Sequence, residues 1–439
     1  MEILSLGEKI KRKRKEMGMT LKDLAGDRIT PGQISLVESS KSNPSMDLLE
    51  YLAGKLNTSV EYLMETEETQ AQKICLYYEN IAESYIVNGN LILGEQNIEK
   101  GLYYAEKYNL EYRKAKILYL RAYIHMLKEE DVLAQQFFLS ANVIFIKNNC
   151  YEEVVKTFLK LGRITIKLKA YHSAGSYFQQ AEKVYMDNNI GNDFLIGEIY
   201  YYIAATHLKL DNHEKAINYT YLAKEKFEQI DDKEQYAKTL LLLCEEFEKN
   251  GNIENAIRYS KKTLDVFRKI DNAVYISQIE NNMGKLFSEF DNMEESFMHL
   301  NKAKEIREKN NDNKLIETLI DICENFIKTK DIERAKQILD EIYDKIQNQS
   351  INFSNKKDLI KYYLIKYKVD KMESNMVEAE NSLVVALDTA KEMEFEKQAG
   401  EICVILGKFY IDIGLEEKAS IYLSEGVEFF KDLGIIKDF

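Results

Sequence analysis

Residues 122–141 read AYIHMLKEEDVLAQQFFLSA, and the spacing of the small residues in this stretch recurs along most of the chain. Ala122 and Ala134 stand twelve residues apart, and Ala141 follows seven later. The middle position returns as Gly94, Ala134, Ala174, Ala216, Ala256, Ser296, Ala335, Ala379 and Ala419, with gaps of 40, 40, 42, 40, 40, 39, 44 and 40 residues. Twelve residues before it, eight of nine positions are small; seven after it, seven of nine are Ala or Gly. Small residues at fixed offsets let two helices approach closely. A period of this length marks a solenoid, in which each unit buries its apolar face on its neighbours. Stacked units build long concave surfaces, so the chain reads as a binding protein first.

Composition agrees with this. A chain of 439 residues exceeds one compact core, a limit that a repeat array removes. The formal charge is −13 and no run of 18 apolar residues occurs, which predicts a soluble chain with no membrane partner. The N-terminal stretch MEILSLGEKIKRKRK lacks the pattern of a secretory signal. Cys75, Cys150, Cys244, Cys323 and Cys403 are far apart and form no C-x-x-C pair, so they read as reduced thiols of a cytoplasmic protein. Both prolines, Pro31 and Pro44, lie near the N-terminus, which predicts an almost wholly helical remainder. Residues 1–66 carry ten basic and ten acidic side chains, whereas the rest carries 50 against 63. An acidic array repels DNA, so any nucleic-acid contact must come from the first segment.

That segment predicts five short helices over residues 6–64. Thr20 is placed to cap the second, and Thr30-Pro31-Gly32-Gln33 forms a capping box with proline at the first helical position. Ser45 and Thr58 are the expected caps of the last two. Leu6, Ile10, Leu21, Leu24, Ala25, Ile34, Val37, Leu48, Leu52, Leu56 and Leu63 supply a core at helical spacing. With Thr20, Ala25, Ile34 to Glu38, Asn43-Pro44 and the closing LLEYLAGKLNTSVEYL, the segment resembles the Xre/phage-repressor helix-turn-helix family. That resemblance implies a third helix in the major groove of double-stranded operator DNA. It puts Thr30, Gln33, Ser35 and Leu36 on the reading face, and Ser39, Lys41, Asn43 and Lys22 against phosphates. Gln33 suits adenine, and Leu36 or Pro31 a thymine methyl. Leu21 departs from the family's usual glutamine, and Pro31, Gly32 and Leu36 thin the direct readout. The run Lys9, Lys11, Arg12, Lys13, Arg14, Lys15 reads either as a solvated helix face or as attraction to the DNA backbone.

Within each repeat, Asn88-Gly89-Asn90, Asp211-Asn212, Asn250-Gly251-Asn252 and Asp291-Asn292 are turn signals between two helices. With an aromatic three residues after the first small residue, the pattern resembles the tetratricopeptide repeat, in a version longer than the usual one. It is weakest in the eighth repeat, at Tyr367 and Asp370, and polar residues near Gln347–Lys357 are a candidate hinge. His125 and His207 stand where other repeats place Tyr or Phe and read as packing residues. Cys244 and Cys323 hold small-residue positions and read as core thiols. His172, His213 and His299 have no metal-ligand spacing. No phosphate-binding loop, zinc motif or catalytic constellation is recognisable, so neither an enzyme, a cofactor nor a metal is expected.

In tetratricopeptide arrays the first helix of each pair lines the concave face. By that register Glu79, Asn80, Glu83, Tyr119, Tyr123, Lys160, Arg163, Tyr201, Tyr202, Glu245, Asn281, Asn282, Lys285, Asp321 and Glu324 point inward. Asparagine side chains can bond both N–H and C=O of an extended peptide. The expected fold is therefore all-α: a five-helix Xre-type domain over 1–66, a linker or helix start over 67–74, and a right-handed superhelical solenoid of about nine tetratricopeptide-like pairs over 75–439. This layout is similar to that of the RRNPP regulators of quorum sensing. The resemblance implies a homodimer or higher homo-oligomer controlled by a short linear signalling peptide. It also leaves open the alternative of an array that binds a protein such as a sporulation response regulator.

Overall fold

A computed structural model describes residues 2–347 and 353–435, with side chains from 356 in the second span; residues 348–352 of the polar segment near Gln347–Lys357 lie outside them. Every described element is helical. The first five are α1 Leu6–Glu16, α2 Leu21–Ala25, α3 Pro31–Glu38, α4 Met46–Lys55 and α5 Val60–Met64. The next nine pairs begin with α6 Glu67–Val87 and α7 Leu91–Lys107, α8 Glu111–Leu127 and α9 Asp131–Lys147, α10 Tyr151–Lys167 and α11 Tyr171–Asp187. They continue with α12 Asp193–Lys209 and α13 His213–Gln229, α14 Lys233–Lys249 and α15 Ile253–Lys269, α16 Ala273–Glu289 and α17 Met293–Lys309. The last three are α18 Leu315–Lys328 and α19 Ile332–Gln347, α20 Phe353–Met372 and α21 Met376–Glu392, and α22 Glu396–Asp412 and α23 Glu416–Asp432.

The 40-residue period has a simple origin. Most of these helices are 17 residues long, and a three-residue connection joins most of them to the next. The second residue of the connection is left-handed: Gly89, Asn109, Glu129, Asn149, Lys169 and Asn189 have φ between 50° and 74°. Around Gly89 the Asn90 N–H donates to the Tyr85 carbonyl at 2.9 Å and the Gly89 N–H to the Ile86 carbonyl at 3.0 Å, which satisfies the last carbonyls of the helix. The true repeat of backbone conformation is thus 20 residues, and the side-chain pattern doubles it.

The small positions are explained by what faces them. A Cβ on Gly162 would lie 2.4 Å from the Phe178 ring, and one on Gly284 or Gly407 would lie 2.5 Å from Leu300 or Leu423. Each of those large residues follows its repeat's central small residue by four positions. The aromatic position stacks on the residue three after that same anchor. His125 lies on Phe137, His207 on Tyr219, Phe247 on Tyr259, Phe287 on His299 and Tyr410 on Tyr422, all within 23° of parallel. His125, His207 and His299 are therefore members of one stacking series. In the eighth repeat Asp370 takes the aromatic position and is held by Lys366 at 2.7 Å and Ser382 at 3.2 Å. Cys244 and Cys323 are buried, and burial raises their thiols to about 11 and about 12.

The chain divides into two compact units, Met1–Lys226 and Phe227–Phe439, with the boundary inside α13. In the first unit the helix-turn-helix segment runs straight into the repeats. Thr66 caps α6, and residues 67–74 form its first turns. Gln70 bonds both the N–H and the carbonyl of Leu4, at 3.1 and 2.9 Å, while Ile3 packs on the core of the first pair. Among the described residues no helix is long and apolar enough to cross a membrane.

Candidate DNA-reading face and ligand cleft

The N-terminal core gathers Ile10, Leu24, Ala25, Ile34, Val37, Leu52, Leu56 and Leu63. Gly7 lets α1 cross the end of α3, since a Cβ there would sit 2.5 Å from the Val37 carbonyl oxygen. Thr20 and Thr30 cap α2 and α3 through capping boxes with Asp23 and Gln33. The cap of α5 is Ser59, not Thr58, because the Ser59 hydroxyl is the one that accepts the Tyr62 N–H. Ser45 caps α4 by backbone conformation alone, with no side-chain bond.

The basic run is taken apart by the fold. Lys9 is 1% exposed and its ammonium donates to the carbonyls of Tyr62 and Glu65 at 2.8 and 2.7 Å. Arg14 makes a two-pronged pair with Glu38 at 2.6 and 2.9 Å and also bonds the Met19 carbonyl. Arg12 and Lys13 are bound by Glu16. Lys9 and Arg14 thus serve the fold, Arg12 and Lys13 pair with Glu16 at the surface, and among the described residues no ion pair holds Lys11 or Lys15. Lys9 and Arg14 therefore drop out of both readings of the run, as a solvated face and as attraction to the DNA backbone, and the cations that remain at the surface are Arg12, Lys13, Lys11 and Lys15.

Ile34, Val37 and Glu38 of α3 face inward, whereas Thr30, Gln33, Ser35, Leu36, Ser39, Lys41, Asn43 and Lys22 are exposed. Leu36 is 46% exposed, an apolar side chain with nothing of its own to cover it. Gln33 accepts the Thr30 N–H at 2.9 Å through its side-chain oxygen, so its free end is the amide –NH2. A two-pronged contact to adenine would have to open the capping box. Ser39 turns its hydroxyl back to the Leu36 carbonyl.

In the same unit, α8, α10 and α12 form a cleft of about 230 Å³. Lys160, Arg163 and Tyr202 line it, together with Tyr119, Lys156, Phe194 and Glu198. Lys160 lies over the Tyr123 ring at 4.8 Å and Arg163 over the Tyr202 ring at 5.5 Å. Lys156 pairs with Glu152 at 2.8 Å, but among the described residues no carboxylate is within ion-pair distance of Lys160 or Arg163. Burial, with the neighbouring Arg163, pushes the Lys160 ammonium down to about 8 against a partial pull from Glu198. Burial also raises the Tyr119 hydroxyl. Register reasoning missed Lys156, Asn192, Phe194 and Glu198. The signal was there: 156, 160 and 163, like 194, 198 and 202, are successive turns of one helix face.

In the second unit a smaller cleft of about 90 Å³ is lined by Lys285, Asp321, Glu324, Ser288, Asn325 and Lys328. Its charged side chains other than Glu289 have partners. Lys285 is 3.5 Å from Asp321, Lys368 donates to Glu324 at 2.9 Å, and Lys328 donates to Ser288 at 2.8 Å. Asn281 is 3% exposed, with its amide on Asp321 at 2.8 Å and its oxygen near Arg307 at 3.4 Å. It ties α16 to α17 and α18 and has no polar atom to offer a ligand, so its expected grip on a peptide is set aside. Glu79 is likewise buried, on Arg113 at 3.1 Å. Asn282, Tyr201 and Glu245 are half-buried and line neither cleft. Among the described residues no cluster of His, Cys, Asp or Glu is placed to hold a metal.

Comparison with known proteins places residues 10–63 in a helix-turn-helix family. Curated protein sequences give no match. Among solved structures, the apo form of the quorum sensor NprR from B. thuringiensis is similar over 97% of this chain and 100% of its own, at 15% identity and a TM-score of 0.53. A STAND protein with a tetratricopeptide-repeat sensor from Pyrococcus horikoshii is similar over 99% of this chain and 67% of its own, at 15% identity and a TM-score of 0.53. The apo form of RapI is similar over 64% of this chain and 99% of its own, at 15% identity and a TM-score of 0.50. The chain therefore joins a helix-turn-helix domain to tetratricopeptide-like helix pairs, a fold it shares with the quorum sensor NprR.

Proposed function

We propose that this protein is a quorum-sensing transcriptional regulator. In this reading α3 reads operator DNA, and a short linear peptide bound by the repeats changes that binding. The observation that carries it is the cleft on α8, α10 and α12. A half-buried cation, Lys160, and an exposed one, Arg163, stand there between aromatic walls, with Glu198 in the same cleft but with no carboxylate within ion-pair distance of either among the described residues. Burying charges without partners is costly, and an anionic group of a ligand would offset the cost. The continuous path from the DNA-binding domain into α6, pinned by Gln70 and Lys9, supports a mechanical link between ligand and DNA face. A peptide that prefers one arrangement of these helices shifts its population, and with it the presentation of α3.

The test is fluorescence anisotropy of the full chain on its own upstream DNA, with and without short peptides encoded beside it. The expected result is a peptide-dependent change in DNA affinity. Lys160→Ala plus Arg163→Ala should abolish that change and leave DNA binding itself intact. A response unaltered by the double substitution would remove the cleft from the mechanism. DNA binding indifferent to every peptide would remove peptide control.

A further inference from the structure

In α9 the exposed residues are Val132, Leu133, Gln136, Leu139, Ser140, Val143, Ile146 and Lys147, and four of them, Val132, Leu139, Val143 and Ile146, are apolar at register positions that are exposed in nearly all the other second helices too. Elsewhere these positions are mostly charged. The counterparts of Leu139 include Glu99, Lys261 and Asp340; those of Val143 include Lys183, Glu225 and Asp265. Only α9 is apolar at all four. Val132 is 66%, Leu139 43%, Val143 54% and Ile146 50% exposed, while the opposite face of the helix buries Ala134, Phe138, Ala141 and Phe145. Apart from Gln136 and Ser140 the exposed face of α9 between its charged ends is apolar, and an exposed apolar stripe of this kind is a surface awaiting cover.

We propose that a second copy of the chain covers it, through an antiparallel pairing of two α9 helices about a two-fold axis at Leu139. Val132 and Ile146 lie seven residues to either side of Leu139. A two-fold at Leu139 therefore sets Val132 against Ile146 of the other copy and Leu139 against itself. The charges fit the same operator. Between Asp131 and Lys147 the helix carries no charged residue, and its ends differ in sign. Glu129, 81% exposed, stands at the N-terminal end and the exposed Lys147 at the other, so antiparallel copies bring opposite charges together. Opposed helix dipoles favour this arrangement too. A chain of charge −13 repels its copies over most of its surface, and an uncharged stripe is where they can meet. The stripe is roughly 21 Å long at 1.5 Å per residue. That is small against the ~800 Å² per partner of a stable interface, so the dimer should be concentration-dependent. The proposal names the surface for the two-fold pairing that the regulator reading requires on an operator, but its evidence is independent of the ligand cleft.

The test is sedimentation velocity of the full chain from about 1 to 100 µM, the range in which such an interface should titrate. The wild type should pass from monomer to dimer, and Leu139→Glu should weaken association by at least about tenfold. The exposed site should leave helix content and melting unchanged. Geometry is read by cross-linking in a Cys150→Ser background. Under mild oxidation Leu139→Cys should link to its own copy. Val132→Cys should not link alone, but should link when mixed with Ile146→Cys. A wild type that stays monomeric would assign the stripe to another partner and overturn the proposal. A dimer that Leu139→Glu does not weaken would place the interface elsewhere, and would leave the DNA and peptide reading standing.

Discussion

Replacing Lys160 by Met removes one of two neighbouring cations from the cleft and keeps an unbranched side chain of similar length. The folded chain holds this ammonium at about 8 rather than the ordinary 10.5, chiefly by burial and then by Arg163. At ~1.36 kcal/mol per tenfold change in proton affinity this is about 3 kcal/mol against the folded state at neutral pH. Partial solvation reduces it, so Lys160→Met should stabilise this region by about 1–3 kcal/mol at pH 7. The sign follows from proton counting. Between about 8 and 10.5 the unfolded chain binds more protons at this site than the folded one, so wild-type stability gains from this residue as pH rises through that window. Below 8 the full cost is present, and above 10.5 it is gone. A repeat array need not unfold in two states, so the assay is hydrogen exchange of the α10 and α12 amides at pH 7 and pH 9.5. Slower exchange in the variant at pH 7, with the gap narrowing at pH 9.5, is expected. Equal or faster exchange in Lys160→Met at pH 7 would mean that Lys160 is paired or fully hydrated in solution. The argument for an anion-seeking cleft would then fail.

Arg14→Ala leaves Glu38 buried without its partner, which should cost the N-terminal domain about 3 kcal/mol and weaken DNA binding through loss of α3; circular dichroism and anisotropy together would show it. Lys41→Ala should reduce the salt dependence of DNA binding by about one phosphate contact. Lys9→Met should leave that slope unchanged, because Lys9 is spent on the carbonyls of Tyr62 and Glu65. Gly7→Ala should destabilise the domain by about 3 kcal/mol, since the atoms a Cβ would meet are backbone. Gly32→Ala, whose nearest neighbour is the Thr30 hydroxyl at 3.8 Å, should be tolerated, as thermal melts of the two variants would reveal.

Helix number and pairing were legible because they depend on local and periodic features. Small residues at 82, 94 and 101 and their successors mark where helices must touch, and Asn, Asp or Gly marks many of the left-handed turns. The N-terminal domain was legible for the same reason, as caps and core positions are set within a few residues. The fate of charged and polar side chains was not. Lys9 and Lys11 look alike in sequence, yet one is buried on backbone carbonyls and the other is exposed. Asn281 and Asn282 are adjacent, and only the first is locked into Asp321 and Arg307. Lys285 lies 3.5 Å from Asp321 of the next repeat, whereas no carboxylate comes within ion-pair distance of Lys160 among the described residues. By itself the sequence determined that this is a helix-turn-helix domain followed by nine helix pairs, since backbone conformation and helix contact are written in short-range spacing. Only the tertiary structure decided which charges remain to meet a ligand, because an ion pair joins residues some 40 positions apart whose distance no local pattern fixes.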